Sequence, residues 1–386
     1  MTSLPPIASA RPALFDRLAE TWRVWTRVYQ RIRFARKMYP LPAILQDAVL
    51  FPIDYLIDGR NIRTVRNLTV AITRKCNIRC EMCYFWKELD DKNSMSFETY
   101  RKIVDQAAPT RPCVILTGGE PMSHPNVVDM VEYAKGKGLP VQIFTNGTLV
   151  KPAMADRLTN AGLDYINFTL LGNEETHPLV ARAKGSYRMF VENLEYLSAH
   201  RGQTAVLLNY TITPTSYQHM GHAVELARRF KLDGIRYQHY NFLRPGECAE
   251  QEKVMRDLFG IDSSANDVEF SGDIASMATP LKAFIAWTRR ETGDLSIGWA
   301  PTLTDAEIDN WYSDEPFQSQ RKCLYMWRGV TVDAKNTVMP CNKIYLDMGD
   351  VTEGDLLDLW NCTRMKEFRR LQKNQPFPAC ARCCKL

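Results

Sequence analysis

Three cysteines, Cys76, Cys80 and Cys83, lie close together in the run ITRKCNIRCEMCYFW. Their C-x3-C-x2-C spacing folds three thiols into one small concave loop. Soft thiolates select soft metal centres, iron–sulfur above all. A [4Fe–4S] cube takes four ligands, and this loop offers three, so one iron is left open for a substrate or cofactor to chelate. Zinc asks for four nitrogen or sulfur ligands, and no fourth Cys or His lies nearby in the sequence. The spacing therefore favours a reactive iron–sulfur centre over structural zinc.

A second set of cysteines stands 240 residues further on. Cys323 and Cys341 bracket what reads as a β-hairpin with DAKN as its turn, and Cys380 and Cys383 form a C-x2-C knuckle. Together they offer four thiolates, a complete set for one more cluster, with a four-cysteine zinc ribbon as the alternative. Cys384 competes with Cys383 as the last ligand, and the commoner C-x2-C geometry favours Cys383. Cys362, inside the helix-like DLLDLWNCTRMKEFRRLQ, reads as packing, and Cys113 and Cys248 read as buried thiols.

These cysteines need a scaffold, and the sequence between 67 and 243 supplies an alternating one. Strand candidates are NLTVAIT (67–73), CVILTGG (113–119), PVQIFTNG (140–147), YINFTLLG (165–172), AVLLNYTIT (205–213) and GIRYQHYNFL (234–243). Amphipathic helical stretches separate them, at 96–108, 127–138 and 185–201 among others. Such alternation predicts an α/β fold, a parallel sheet covered by helices. Residues 13–38 read as a helix: Leu14, Leu18, Trp22, Trp25, Tyr29 and Ile32 form a stripe, with Arg17, Arg23, Arg27 and Arg31 on another face. Packing against the chain's own barrel is the favoured reading of this helix. Peripheral contact with a membrane surface is the other. Residues 40–60 predict a short helix and a turn, and 280–291 another helix, within an otherwise irregular stretch from 244 to 322.

The cysteine loop, the strand before it and the strand CVILTGGEPMSHP (113–125) after it resemble the cluster and SAM-binding motifs of radical S-adenosylmethionine (SAM) enzymes. The C-terminal hairpin, the proline before Cys341 and the tryptophan-containing helix resemble the SPASM/twitch auxiliary modules of that family. The resemblance implies a partial (β/α)6 TIM-type barrel over 67–243, an N-terminal helical extension over 1–66, a bridging region over 244–322 and an auxiliary-cluster module over 323–386. It also implies that Cys76, Cys80 and Cys83 hold a [4Fe–4S] cluster whose open iron chelates SAM, giving a 5′-deoxyadenosyl radical that takes a hydrogen atom from substrate. Gly118, Gly119 and Glu120 would receive the methionyl amino group, with Thr117 assisting. Asn146 falls with them at a strand end. Tyr84 would pack on the adenine, Thr169 would meet the ribose, and Arg182 the carboxylate. Two residues follow Cys384, where full SPASM modules carry more cysteines, so a single auxiliary [4Fe–4S] cluster is expected.

The composition sets wider bounds. With 386 residues and 45% hydrophobic content, the chain can bury one large core and a smaller module. A net charge of +5 makes no case for nucleic acid. Eleven clustered cysteines, no signal-peptide pattern and no apolar run long enough to span a bilayer point to a reducing cytoplasm. The resemblance, not the composition, implies a low-potential electron donor such as flavodoxin or ferredoxin, and a favoured activity of dehydrogenation or epimerisation of a small polar metabolite, such as a sugar or aminocyclitol. Modification of a ribosomal peptide or of a lipid, and a non-enzymatic zinc or iron–sulfur protein, are the alternatives.

Overall fold

The computed structural model describes residues 41–386, apart from 58, 84, 86–88, 90–91, 263–267, 318–321 and 386. The helix expected over 13–38 therefore lies outside the described residues, as does Tyr84. The strands are β1 (Asn67–Thr73), β2 (Cys113–Gly118), β3 (Val141–Thr145), β4 (Tyr165–Leu170), β5 (Ala205–Thr211), β6 (Gly234–Gln238), β7 (Ile297–Ala300), β8 (Gly329–Val332) and β9 (Val338–Met339). The helices are α1 (Leu41–Leu56), α2 (Phe97–Ala107), α3 (Val127–Gly136), α4 (Pro152–Asn160), α5 (Thr176–Ala181) and α6 (Ser186–His200). They continue with α7 (Gly221–Arg229), α8 (Pro245–Phe259), α9 (Ala278–Glu291), α10 (Asp305–Trp311), α11 (Leu356–Trp360) and α12 (Thr363–Asn374).

Among the described residues, all nine strands form one sheet in the order β7-β6-β5-β4-β3-β2-β1-β8-β9. Neighbouring pairs from β7 to β8 are parallel, and β9 closes the edge antiparallel to β8. The near-continuous apolar runs of β1 and β5 follow from burial on both faces: Leu68–Thr73 and all of β5 are buried, as expected of a parallel sheet sheathed by helices. Ser96 caps α2, its hydroxyl accepting from Thr99 N at 3.0 Å. The six expected β/α repeats are present, and the parallel run goes further than six strands. Residues 244–322, expected as an irregular bridge, add β7 to the sheet through Ile235↔Ile297 and its successors. The hairpin expected between Cys323 and Cys341 is β8–β9, and it is annexed to the barrel edge, with Asn67 opposite Gly329.

The DAKN turn is built as its composition suggests. Asp333 Oδ1 accepts from Lys335 N and Thr337 N, each at 2.9 Å, and Asn336 takes the left-handed conformation at φ 68°. Its other oxygen meets Arg74 Nη2 at 3.0 Å, with both side chains buried. A residue two positions before Cys76 is thus tied to the C-terminal hairpin.

Candidate functional site

The first cysteine loop leaves the C-terminal end of β1, the end where parallel α/β barrels place their chemistry. The β1–β2 register sets Thr73 opposite Gly118 after a bulge, so the loop starts beside the end of β2. Gly119 N donates to Thr73 O at 2.8 Å and Glu120 N to Lys75 O at 2.7 Å. A Cβ on Gly118 would stand 2.3 Å from Thr73 O, and one on Gly119 2.2 Å from Lys75 O. Gly118 also has φ +132°. Both glycines are required for this close approach of backbone to backbone, whatever else they meet.

Cys76, Cys80 and Cys83 line one cleft of about 200 Å³ together with Thr117, Gly118, Gly119, Asn146 and Thr169. Its far wall comes from Thr211, Gln238 and Asn241, at the ends of β5 and β6. A larger recess of about 730 Å³, lined by Val254, Leu258 and Phe377, reaches none of the first loop's cysteines. Burial pushes the Cys76 thiol up to about 11, helped by the charges of Glu120 and Cys83. Burial raises Cys80 further, and the charges of Cys83 and Cys76 add to it. Cys76 and Cys80 are thus held protonated near neutral pH in the empty loop, so metal loading releases protons. Among the described residues no three Cys, His, Asp or Glu side chains converge to hold a single ion. A cluster fits better, because each thiolate then meets a different iron and the sulfurs stand further apart than around one zinc.

Neighbouring elements hold the loop in place. Arg79 N donates to Ala181 O and Glu81 N to Val180 O, docking the loop on α5. The Arg79 guanidinium donates to the carbonyls of Cys76 at 2.6 Å and Ile78 at 3.0 Å. Ile78, Leu171, Val180 and Ala181 pack with Cys76, Cys80 and Met82 into an apolar cluster beside the thiols. Asn146 Nδ2 donates to Asn77 Oδ1 at 2.9 Å, and Asn77 Nδ2 to Thr148 Oγ1 at 2.8 Å. Asn146 thus braces the loop as well as facing the cleft.

Two expected residues sit elsewhere. Glu120 is 1% exposed and turns inward. Its carboxylate accepts from Thr145 Oγ1 at 2.7 Å, Asn146 N at 2.7 Å and Met122 N at 3.1 Å. Burial pushes its pKa up to about 7 against those three bonds. Arg182 is exposed, left-handed at the C-cap of α5 and outside the cleft lining. The sequence also hid the docking on α5 and the Arg74–Asp333 tie, neither of which has a local signature.

The second set of thiols also gathers. The charge of Cys323 acts on Cys380 and Cys383, and that of Cys341 on Cys323 and Cys380. Burial pushes Cys323 up to about 11. Cys383 and Cys384 share a hydrogen bond, which raises the first and lowers the second. Lys343 and Lys385 place positive charge beside these thiols. The knuckle is anchored by Arg382, fully buried and left-handed at φ 49°. It donates to both Glu247 oxygens at 2.7 Å and to Trp311 O at 2.7 Å. Cys362 accepts from Met365 N as the N-cap of α12, a structural role. Cys113 is buried as expected, whereas Cys248 is only half-buried, because it lies on the partly exposed α8.

Comparison with known proteins agrees with this geometry. The model of the radical SAM superfamily matches residues 70–227, and that of the SPASM iron–sulfur cluster-binding domain matches 323–384. The chain belongs to the radical SAM superfamily and carries a SPASM domain. It is accordingly an enzyme of that class, with SAM, a [4Fe–4S] centre and auxiliary iron–sulfur chemistry as its cofactors. It is 25% identical over 345 residues to the tungsten-containing aldehyde ferredoxin oxidoreductase cofactor-modifying protein of Pyrococcus furiosus, covering 83% of this chain and 87% of that one. It is 29% identical over 200 residues to the Fe-coproporphyrin III synthase of Methanosarcina barkeri, 51% of this chain and 48% of that one. In structure it resembles Streptococcus suis SuiB bound to precursor peptide SuiA, with TM-score 0.60 and 15% identity, over 80% of this chain and 67% of that one. Likeness at that identity establishes the fold alone.

Proposed function

We propose that the chain is a radical SAM oxidoreductase or epimerase that removes a hydrogen atom from a carbon of a small polar metabolite. The observation carrying this reading is the convergence of Cys76, Cys80 and Cys83 with the ends of β2 to β6 on one cleft whose far wall is polar and uncharged. Cys76, Cys80 and Cys83 hold three irons of a [4Fe–4S] cluster. The half-buried backbone of Gly118 and Gly119, with Thr117, would receive the amino acid end of SAM, and Thr169 its ribose. Glu120 acts from beneath, fixing Asn146 N and Thr145 so that the rim keeps its shape. When bound, SAM and this cluster supply the one-electron chemistry that takes the hydrogen atom.

Substrate orientation falls to Thr211, Gln238 and Asn241. Asn241 Oδ1 is buried without a hydrogen-bond partner, an acceptor that a hydroxyl or amine donor would satisfy. Among the described residues lining the cleft none is charged, which suits a neutral, hydroxyl-bearing group over an anionic one. The apolar cluster around Ile78 and Leu171 keeps water from the thiols. Cys323, Cys341, Cys380 and Cys383 would hold one auxiliary cluster, which would supply electron transfer, with a flavodoxin or ferredoxin as donor in a reducing cytoplasm. The barrel of 67–243 and the module of 323–386 are the working units. The relatives' names range from a cofactor-modifying protein to a bacteriocin biosynthesis protein, so the cleft lining carries the choice of substrate. The test is 5′-deoxyadenosine formation by the reconstituted enzyme with separate polar-metabolite, peptide and lipid fractions. Stimulation by the polar fraction is expected, and stimulation by peptide or lipid alone would overturn the substrate class.

A further inference from the structure

Surface helices ordinarily turn their charges to water and their apolar side chains inward. α1 packs Ala43, Phe51 and Tyr55 inward but turns its charges inward as well, leaving apolar residues to water. Its only charged residues are Asp47 and Asp54, and both are engaged inward. Asp54 is 5% exposed and bonds Arg328 at 2.8 Å and Arg60 at 3.0 Å. Asp47 meets Arg66 at 2.8 Å and Arg328 at 3.1 Å. The outward face carries Leu41, Leu45, Val49 and Leu56, 52 to 69% exposed, and Ile57 continues it. Positions 41, 45 and 49 repeat every fourth residue, so they form one stripe along the helix. Single exposed leucines are ordinary, but a contiguous stripe marks an interaction site.

The surroundings of the stripe are cationic. Arg60, Lys366, Arg369 and Arg370 line a recess with Ile57 against a single carboxylate, Asp54, though Arg60 pairs with Asp54 and Arg370 with Glu367. The Lys373 ammonium lies 3.4 Å from Leu56 O and 5.2 Å from the Tyr55 ring centroid. The sequence running into α1 carries Arg17, Arg23, Arg27, Arg31, Arg33, Arg36 and Lys37 with Trp22 and Trp25, against only Asp16 and Glu20. No described helix is long and apolar enough to cross a membrane. An apolar stripe bordered by basic and tryptophan-rich sequence is the pattern of a helix that lies in a bilayer interface.

We infer that α1 is a membrane-docking element, seated on a bilayer with anionic headgroups, its leucine stripe at the acyl boundary and the basic groups at the phosphates. This goes beyond the proposed activity and does not depend on it. The test is co-sedimentation of the full chain with phosphatidylcholine vesicles, with and without phosphatidylglycerol, at low and high salt. Binding is expected only with the anionic lipid and is weakened by salt. Leu45→Glu with Val49→Glu should reduce binding by about tenfold or more, the scale of losing one or two buried aliphatic side chains. Iron content and thermal stability should not change, because both residues are solvent-facing. Wild-type protein that stays in the supernatant with anionic vesicles, or a double variant that binds as well as wild type, would overturn the inference. So would a wild-type dimer that the double variant dissolves without any vesicle binding, since a second copy would then cover the stripe.

Discussion

Replacing Asp333 with Ala removes a buried ion-pair partner of Arg74 and the Oδ1 acceptor of two turn N–H groups at once. Both members of the pair are almost fully buried, at 3% and 1% side-chain exposure. Breaking a buried pair by deleting one partner costs roughly 3–5 kcal/mol, because the remaining charge stays in a poorly solvating interior. Unfolding entropy of about 2.1 cal/mol/K per residue gives roughly 0.8 kcal/mol/K for this chain, so the expected drop in Tm is about 4–6 °C. The assay is anaerobic thermal unfolding of cluster-free protein, so that metal loading does not confound it. Arg74→Met combined with Asp333→Ala should be less destabilising than the two single changes added together, with a coupling of about 1–3 kcal/mol. Because Arg74 begins the first cysteine loop and Asp333 turns the C-terminal hairpin, the single variants should also load less iron at Cys76, Cys80 and Cys83. A Tm within 1 °C of wild type, or strictly additive variants, would refute the claim that this pair ties the loop to the hairpin.

Gly119→Ala places a methyl group 2.2 Å from Lys75 O, so it should dislodge the cysteine loop and abolish SAM cleavage, as read by 5′-deoxyadenosine and by iron content. Glu120 binds its proton more tightly in the folded chain, at about 7 against an ordinary 4.5. Its contribution to stability is therefore greatest below about 4.5 and falls as pH rises to about 7. Glu120→Gln should flatten that slope in denaturant titrations of cluster-free protein at pH 5 and pH 7.5, and an unchanged slope would contradict the assignment. At the knuckle, Cys383→Ala and Arg382→Met should each shed about half the iron while Cys384→Ala retains it, since one of two four-iron clusters is lost. Iron analysis and electron paramagnetic resonance of the reduced protein would show this.

Strand positions were legible wherever β-branched runs were bracketed by turn residues. Asn67–Thr73 lies in the sheet over the whole predicted span, and Val141–Thr145 inside its predicted one. The strand expected over 234–243 is shorter, because after Gln238 the chain turns away from β5, with His239 N still bonded to Ala300 O. β7 escaped because four residues, IGWA, are too few to show a period and are half exposed. Its pairing with β6, and that of β8 with β1, are long-range choices with no local signal. The same holds for Arg74 and Asp333, 259 positions apart. At the site, residue type revealed which thiols and glycines gather. It did not reveal direction: Glu120 points inward because docking of Gly119 and Glu120 N on the cysteine loop turns its side chain toward Thr145 and Asn146. Arg182 faces solvent because the six-residue α5 ends there in a left-handed turn.

The most direct test of the account compares wild type with a Cys76→Ala, Cys80→Ala, Cys83→Ala variant, both reconstituted anaerobically and given SAM and a strong reductant. The account predicts 5′-deoxyadenosine from wild type and none from the variant, which still loads its auxiliary iron. Equal product from the variant, or none from wild type with both clusters verified, would contradict it.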